Sequence, residues 1–135
     1  MERNLKKNVI KTCKDLKVYR YSYEAAMKIF YMSRKFPQEE KYSLTNQIIR
    51  SSRSVPANIR EGYAKRKYEQ VFIKHLVDAI GSSEETRTWL DFARDCQYLS
   101  SDIYSEIDKK YKEIGSMLYG LIKNWKTFGR EEDRR

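Results

Sequence analysis

A proline set in the middle of an amphipathic pattern constrains this chain more than any other feature. Between Leu44 and Lys67 the sequence reads LTNQIIRSSRSVPANIREGYAKRK. Leu44, Ile48, Ser52, Val55, Ile59 and Gly62 recur there every three or four residues, the spacing that places side chains on one helical face. Arg50, Arg53, Ala57, Arg60, Ala64 and Lys67 fall nearly opposite, at about 100° per residue. Pro56 lies between these runs. It has no N–H to give the carbonyl of Ser52, and its ring crowds that carbonyl, so a helix continuing through it is expected to bend. The cost of roughly 3 kcal/mol must be offset by packing, which predicts a helix with one buried face and one wet, positive face.

The rest of the composition agrees with helices. With 135 residues, 40% hydrophobic and 35% charged, the chain fits one domain with a core of its own. Five glycines and two prolines are too few for a turn-rich β fold. No apolar run has the length of a membrane span, and the opening MERNLKKNVIKTCK lacks the hydrophobic segment of a signal peptide. A cytoplasmic protein is therefore expected. Cys13 and Cys96 form no CxxC pair and are read as reduced thiols, Cys96 as a buried one.

Charge is unevenly divided. Residues 1–67 hold seventeen Lys and Arg against six Asp and Glu, whereas residues 68–135 hold eleven against thirteen. The net charge of +9 thus belongs to the first half. That asymmetry is the footprint of a protein that meets a polyanion, or of one that complements an acidic protein.

Taken in order, residues 1–15 show Lys and Asn among scattered aliphatics, a flexible basic arm. A helix follows from Val18 or Tyr21, with Tyr19, Tyr23, Ala26 and Phe30 as its stripe and Met27 and Ile29 widening it, and Pro37 stops it. Ser43 is placed to cap the second helix through its hydroxyl. After the basic turn AKRK, Tyr68 to Tyr98 forms a third helix with Phe72, Leu76, Ile80, Ser83, Arg87 and Leu90 on one face. Ser100 and Ser101 open a fourth, in which Ile103, Ile107, Tyr111, Ile114, Leu118, Leu121 and Trp125 repeat in fours and threes. A 4-3 repeat is the seam of a left-handed bundle. The predicted fold is all-α: an antiparallel, up-down-up-down, left-handed four-helix bundle over residues 16–127, its second helix kinked at Pro56, with a charged tail at 128–135.

The run SLTNQIIRSSRSVPANIREGYAKR, preceded by FPQEEKYSL and followed by AIGSSEE at Ala79–Glu85, resembles the four-helix-bundle proteins encoded in intervening sequences of bacterial 23S ribosomal RNA genes. The likeness covers roughly residues 15–126 and rests on Gln47, Arg50, Ser54, Pro56, Ala57, Asn58, Ile59, Glu61 and Gly62. The family's aromatic, small and arginine pattern after the glycine is kept here as Tyr63 and Ala64 but ends in Lys65. The resemblance implies a bundle assembled as a ring, commonly a pentamer, with a basic surface and no catalytic activity. It further implies kinship with accessory bundle proteins of diversity-generating retroelements, which bind nucleic acid and a reverse transcriptase.

Candidate site residues follow from the positive face. Arg50, Arg53 and Arg60, with Lys65, Arg66 and Lys67 at the turn, are spaced to contact successive phosphates, and Tyr63 and Tyr68 flank that turn where bases would stack. The bland alternatives are a solvated helix face and core tyrosines with one wet end. Ser52, Asn58 and Glu61 on the second helix and Ser82 and Glu85 on the third read as a structural polar network around the carbonyl that Pro56 frees. His75, the single histidine, has no metal-ligating partner in sequence, so no cofactor or metal is expected. Ile49, Val71, Met117 and Tyr119 lie off the core stripes and predict a homo-oligomeric interface.

Overall fold

The computed structural model describes the backbone of residues 9–133 and the side chains of residues 9–125. Among the described residues there are four α-helices and no strand: α1 (Lys17–Ser33), α2 (Leu44–Ala64), α3 (Glu69–Asp95) and α4 (Ser101–Asp133). None is long and apolar enough to cross a membrane.

The chain is docked before α1 begins. Around the 3-10 turn Cys13–Asp15, Asp15 Oδ2 accepts the amide hydrogens of Lys11 (2.8 Å) and Thr12 (2.9 Å). These backbone bonds hold the Asp15 carboxyl below its ordinary pKa. Cys13 and Leu16 are buried and Ile10 packs against the core, and burial pushes the Cys13 thiol up. The arm expected to be flexible over residues 1–15 is therefore anchored in its second part, and residues 1–8 lie outside the described residues. At the other end α4 continues to Asp133, so the segment read as a tail from residue 128 is helical as far as that.

Pro37 ends the first helical segment as expected, but the cap of α2 differs. Ser43 occupies the N-cap position without bonding the first turn; its hydroxyl donates instead to Glu40 Oε1 at 2.5 Å. Glu40 takes over the capping, accepting the Leu44 amide hydrogen at 3.4 Å, while its second oxygen accepts the Tyr98 hydroxyl at 2.8 Å. The preceding Gln38–Glu40 turn makes this reach available. Bonds from Ser43 and Tyr98 lower the Glu40 pKa, and the bond to Glu40 pushes Tyr98 up to about 12.

Core residues of α2 are those of its inward stripe: Leu44, Ile48, Ser52, Val55, Ile59 and Gly62 are all buried. In α4, Ile107, Tyr111, Ile114, Leu118 and Trp125 are buried, and Ile103, in the first turn, is exposed. α1 departs from its predicted stripe. Of that stripe Tyr19, Ala26 and Ile29 are buried as expected and Phe30 is half-buried, while Tyr23 is 54% exposed and Met27 also faces out; Val18, Ser22 and Ala25 complete the buried face. The buried face is thus rotated slightly from the expected one, toward the small Ser22 and Ala25, which allow close helix packing.

Contacts between helices pair ascending positions with descending ones. Ser51, Ser54 and Asn58 of α2 meet Thr86, Ser82 and His75 of α3. Ser83, Arg87 and Asp91 of α3 meet Tyr111, Asp108 and Tyr104 of α4. Tyr21 and Lys28 of α1 meet Glu113 and Glu106 of α4. The most extensive of these contacts is between α2 and α3. It closes around Gly62, where a Cβ would lie 2.6 Å from His75 Cβ and 3.0 Å from the Phe72 ring.

Two predictions follow from these contacts. Gly62→Ala forces α3 away from α2 and is expected to lower the unfolding free energy by about 1–3 kcal/mol. Gly81→Ala, with nothing within 4 Å of its new methyl group, is expected to raise it by up to about 1 kcal/mol; urea unfolding of both variants checks the pair. The Glu40–Tyr98 bond makes a pH prediction. Stability from the lowered Glu40 is complete above about pH 4.5 and lost below it, and stability from the raised Tyr98 is complete below about pH 10 and lost as pH rises toward 12. Tyr98→Phe should flatten both limbs of a midpoint-versus-pH curve.

Candidate nucleic-acid interface

The buried stripe of α2 determines where its other face points. Arg50, Arg53, Ala57, Arg60, Ala64 and Lys67 are all exposed, as the helical spacing requires. Two of the arginines are held by aromatic groups of α1: the Arg53 guanidinium lies 5.6 Å from the Phe30 ring centre, and Arg60 Nη1 donates to the Tyr19 hydroxyl at 3.4 Å. Both keep most of their donors for a ligand. The contribution of α1 and the turn before it, which brings Arg20 and Lys14 beside Arg60, was not read from the sequence. Only a tertiary contact brings these residues to the α2 stripe.

At the α2–α3 turn the basic residues divide. Lys65 and Lys67 are exposed, and Lys65 pairs with Glu61 at 3.6 Å. Arg66 is half-buried, stacked 4.2 Å from the centre of the Tyr63 ring and donating to the Tyr63 carbonyl at 3.2 Å. Tyr63 is not a stacking platform. It is buried, edge-on to Phe72 and Trp125, with which it forms an aromatic cluster under the turn. Tyr68 is 64% exposed beside Lys67 and stays available.

The polar network lies on the opposite side of α2, against α3. Asn58 Nδ2 donates to the Ser54 carbonyl (3.0 Å) and to Ser54 Oγ (3.1 Å), and Ser54 Oγ bonds Ser82 Oγ at 2.9 Å. Asn58 Oδ1 is then the acceptor for His75 Nδ1 at 3.2 Å, which places the ring proton on Nδ1. Thr86 Oγ1 is 2.9 Å from both the Ser82 carbonyl and Ser51 Oγ. Thr86 is the donor to both, sharing its one hydroxyl hydrogen, and Ser51 Oγ in turn donates to the Ile48 carbonyl at 3.4 Å.

The predicted members thus separate. Asn58 and Ser82 belong to the network, and Glu61 borders it, 3.8 Å from His75 Nδ1. Ser52 bonds back to the Ile49 carbonyl at 3.0 Å. Glu85 is exposed and accepts the Trp89 indole N–H at 3.0 Å on its own helix. Ser51, Ser54, His75 and Thr86 were missed, though Ser54 and Thr86 sit four residues from the expected Asn58 and Ser82, and Ser51 seven from Asn58, spacings that share a helical face. No group of three or more His, Cys, Asp or Glu side chains suited to a metal occurs among the described residues. Cys96 is exposed, against expectation, because it falls at the C-terminus of α3 beyond the core.

The 23S rRNA-intervening sequence protein family model matches residues 14–120. The chain belongs to this family. A crystal structure from Bacteroides thetaiotaomicron, described as a protein with unknown function from the S23 ribosomal protein family, superimposes with a TM-score of 0.72 at 31% identity, covering 78% of this chain and 95% of that one. No curated protein matches. In this family member the segment read as its signature has two sides, a polar seam at Ser54, Asn58 and Gly62 and an arginine stripe at Arg50, Arg53 and Arg60.

Asn58→Ala removes the one side chain that links Ser54 to His75 and leaves the His75 Nδ1 proton without that acceptor. A loss of about 1–3 kcal/mol is expected, measured by thermal or urea unfolding, with His75→Ala on the Asn58→Ala background costing less than in the wild type.

Proposed function

We propose that this protein is a non-enzymatic, homo-oligomeric bundle that binds the sugar-phosphate backbone of RNA or DNA, without strong sequence preference, through the α2 stripe. The observation that carries this reading is the exposure of Arg50, Arg53, Arg60, Lys65 and Lys67 along one side of α2 and its following turn, on the half of the chain that holds the net positive charge. Guanidinium groups match phosphate oxygens, and each neutralised phosphate releases condensed counterions. Arg66 serves the same end from a more fixed position on Tyr63.

The paired positions along α1 to α4 support an antiparallel, up-down-up-down arrangement; the fours and threes of α4 support left-handed packing and the mid-helix Pro56 supports a bend in α2. Exposed apolar side chains on the other helices support self-association. Val71, Val77 and Phe92 of α3 and Ile103 and Tyr119 of α4 are between 39% and 65% exposed, whereas Ile49 and Met117, also expected at the interface, pack against the core. Assembly through α3 and α4, as the pentamer common in the family, leaves the arginine face free and repeats it around the ring, so weak contacts sum. Such a protein works in the cytoplasm without a cofactor.

Fluorescence anisotropy with labelled RNA and DNA at two salt concentrations tests the reading. Binding is expected to weaken with salt, and the Arg50→Ala, Arg53→Ala, Arg60→Ala variant, with unchanged oligomer mass, is expected to lower the log-log salt slope by about two units per contacted single strand. No binding by the wild type at low salt would end this reading and leave an acidic protein, such as a polymerase or reverse transcriptase, as the partner of the basic face.

A further inference from the structure

Between α1 and α2 a groove of about 630 Å³ runs along the arginine stripe. Its lining is mainly apolar, from Tyr19, Tyr23, Met27 and Ala57, with Arg53 and Arg60 on its rim. A solvated helix face needs no such cleft. The groove falls within the usual volume range of small-ligand sites, roughly 300–1,000 Å³. Seven residues separate the two arginines on α2, about 10.5 Å along the axis, and the residue between them, Ala57, is small. That interval is wider than the roughly 3.4 Å step between stacked nucleotides, so it suits an unstacked nucleotide whose two flanking phosphates are reached by the long arginine side chains.

The walls supply what such a group needs. Tyr23 is 54% exposed, its ring tilted at 37° to that of Tyr19 with the centres 6.3 Å apart, so much of the ring is open to a ligand. Arg53 is steadied by Phe30 and Arg60 by the Tyr19 hydroxyl, which reduces the ordering cost of binding. The carboxylate among the lining residues, Glu61, is drawn to Lys65 at 3.6 Å and to His75 at 3.8 Å. A ligand that is aromatic and flat with anionic groups on both sides fits this combination, and a nucleotide within a single strand has that form.

We propose that the α1–α2 groove is a single-stranded nucleic-acid subsite, in which one unpaired base lies against Tyr23 while Arg53 and Arg60 hold the phosphates before and after it. This rests on the nucleic-acid reading above and adds a preference to it. In a duplex the bases are stacked inside, and extruding one costs a few kcal/mol, so a duplex meets only the arginines. Single strands therefore bind more tightly than duplexes of equal length.

The test uses the full chain in its native assembly and three probes: a twelve-residue oligo(dT), an abasic oligomer of the same length, and a twelve-base-pair duplex. Wild type is expected to bind oligo(dT) about ten-fold or more above the abasic strand, in line with the contribution of one stacked base. Tyr23→Ala and Ala57→Leu should remove that advantage and leave duplex affinity within about two-fold, while Tyr23→Phe, which keeps the ring, should retain it. Equal binding of oligo(dT) and abasic strand by wild type would overturn the groove assignment and leave backbone binding intact. That comparison needs no variant and decides even where a substitution misfolds. Failure of all three probes would overturn both the groove and the nucleic-acid reading.

Discussion

The closest approach of α2 and α3 leaves 2.6 Å between the place a Cβ would occupy at Gly62 and the Cβ of His75, and much of the molecule depends on this contact. Two helices that near cannot be separated by leucines. The positions along their seam are Ser51, Ser54, Asn58, Ser82 and Thr86, and short polar side chains that close cannot avoid hydrogen-bonding one another. The network is thus a consequence of proximity. Once formed, it fixes the rotation of α2, because turning the helix by one residue would break every bond in it at once. Pro56 is tolerated inside this helix for the same reason: a segment over-determined by its neighbours can carry a missing backbone bond.

Fixing the rotation of α2 fixes the direction of its arginines. The side that bonds α3 and the side that carries Arg50, Arg53 and Arg60 belong to one rigid element, so the surface inherits its geometry from the seam. α1 then converts a stripe into a site. Tyr19 and Phe30 each hold one arginine, and the cleft between the two helices gives the positive face a depth that no isolated helix has. Charge adds to this. The positive half of the chain supplies α1 and α2, so the groove lies among its own kind of charge.

How much of this the sequence discloses depends on the range of the interaction. The α2 stripe was legible because it is large on one face, charged on the other, and regular over six turns. α4 was legible for the same reason, through its fours and threes. The family signature at residues 54–62 was legible as a pattern, and its polar residues as a network, but the partners were not. Ser52 and Glu85 carry the right groups yet bond within their own helices, and whether a serine reaches across or back depends on how near the next helix stands. Ser43 and Glu40 exchange roles for an equally tertiary reason, since Tyr98 comes from the connection after α3 to hold the carboxylate in place. α1 is the hardest helix to read. Its apolar residues spread over more than one stripe, and while Tyr19, Ala26 and Ile29 go inside, the edge at Tyr23 and Met27 stays outside as the wall of the groove.

The central claim is that the α1–α2 face meets nucleic acid while α3 and α4 serve the bundle and its assembly. Methyl NMR of protein labelled at alanine and methionine, titrated with a short oligo(dT), tests it most directly. The account predicts that Ala26, Met27 and Ala57 shift while Ala79, Ala93 and Met117 do not. Shifts confined to α3 and α4, or none at saturating oligonucleotide, would contradict it.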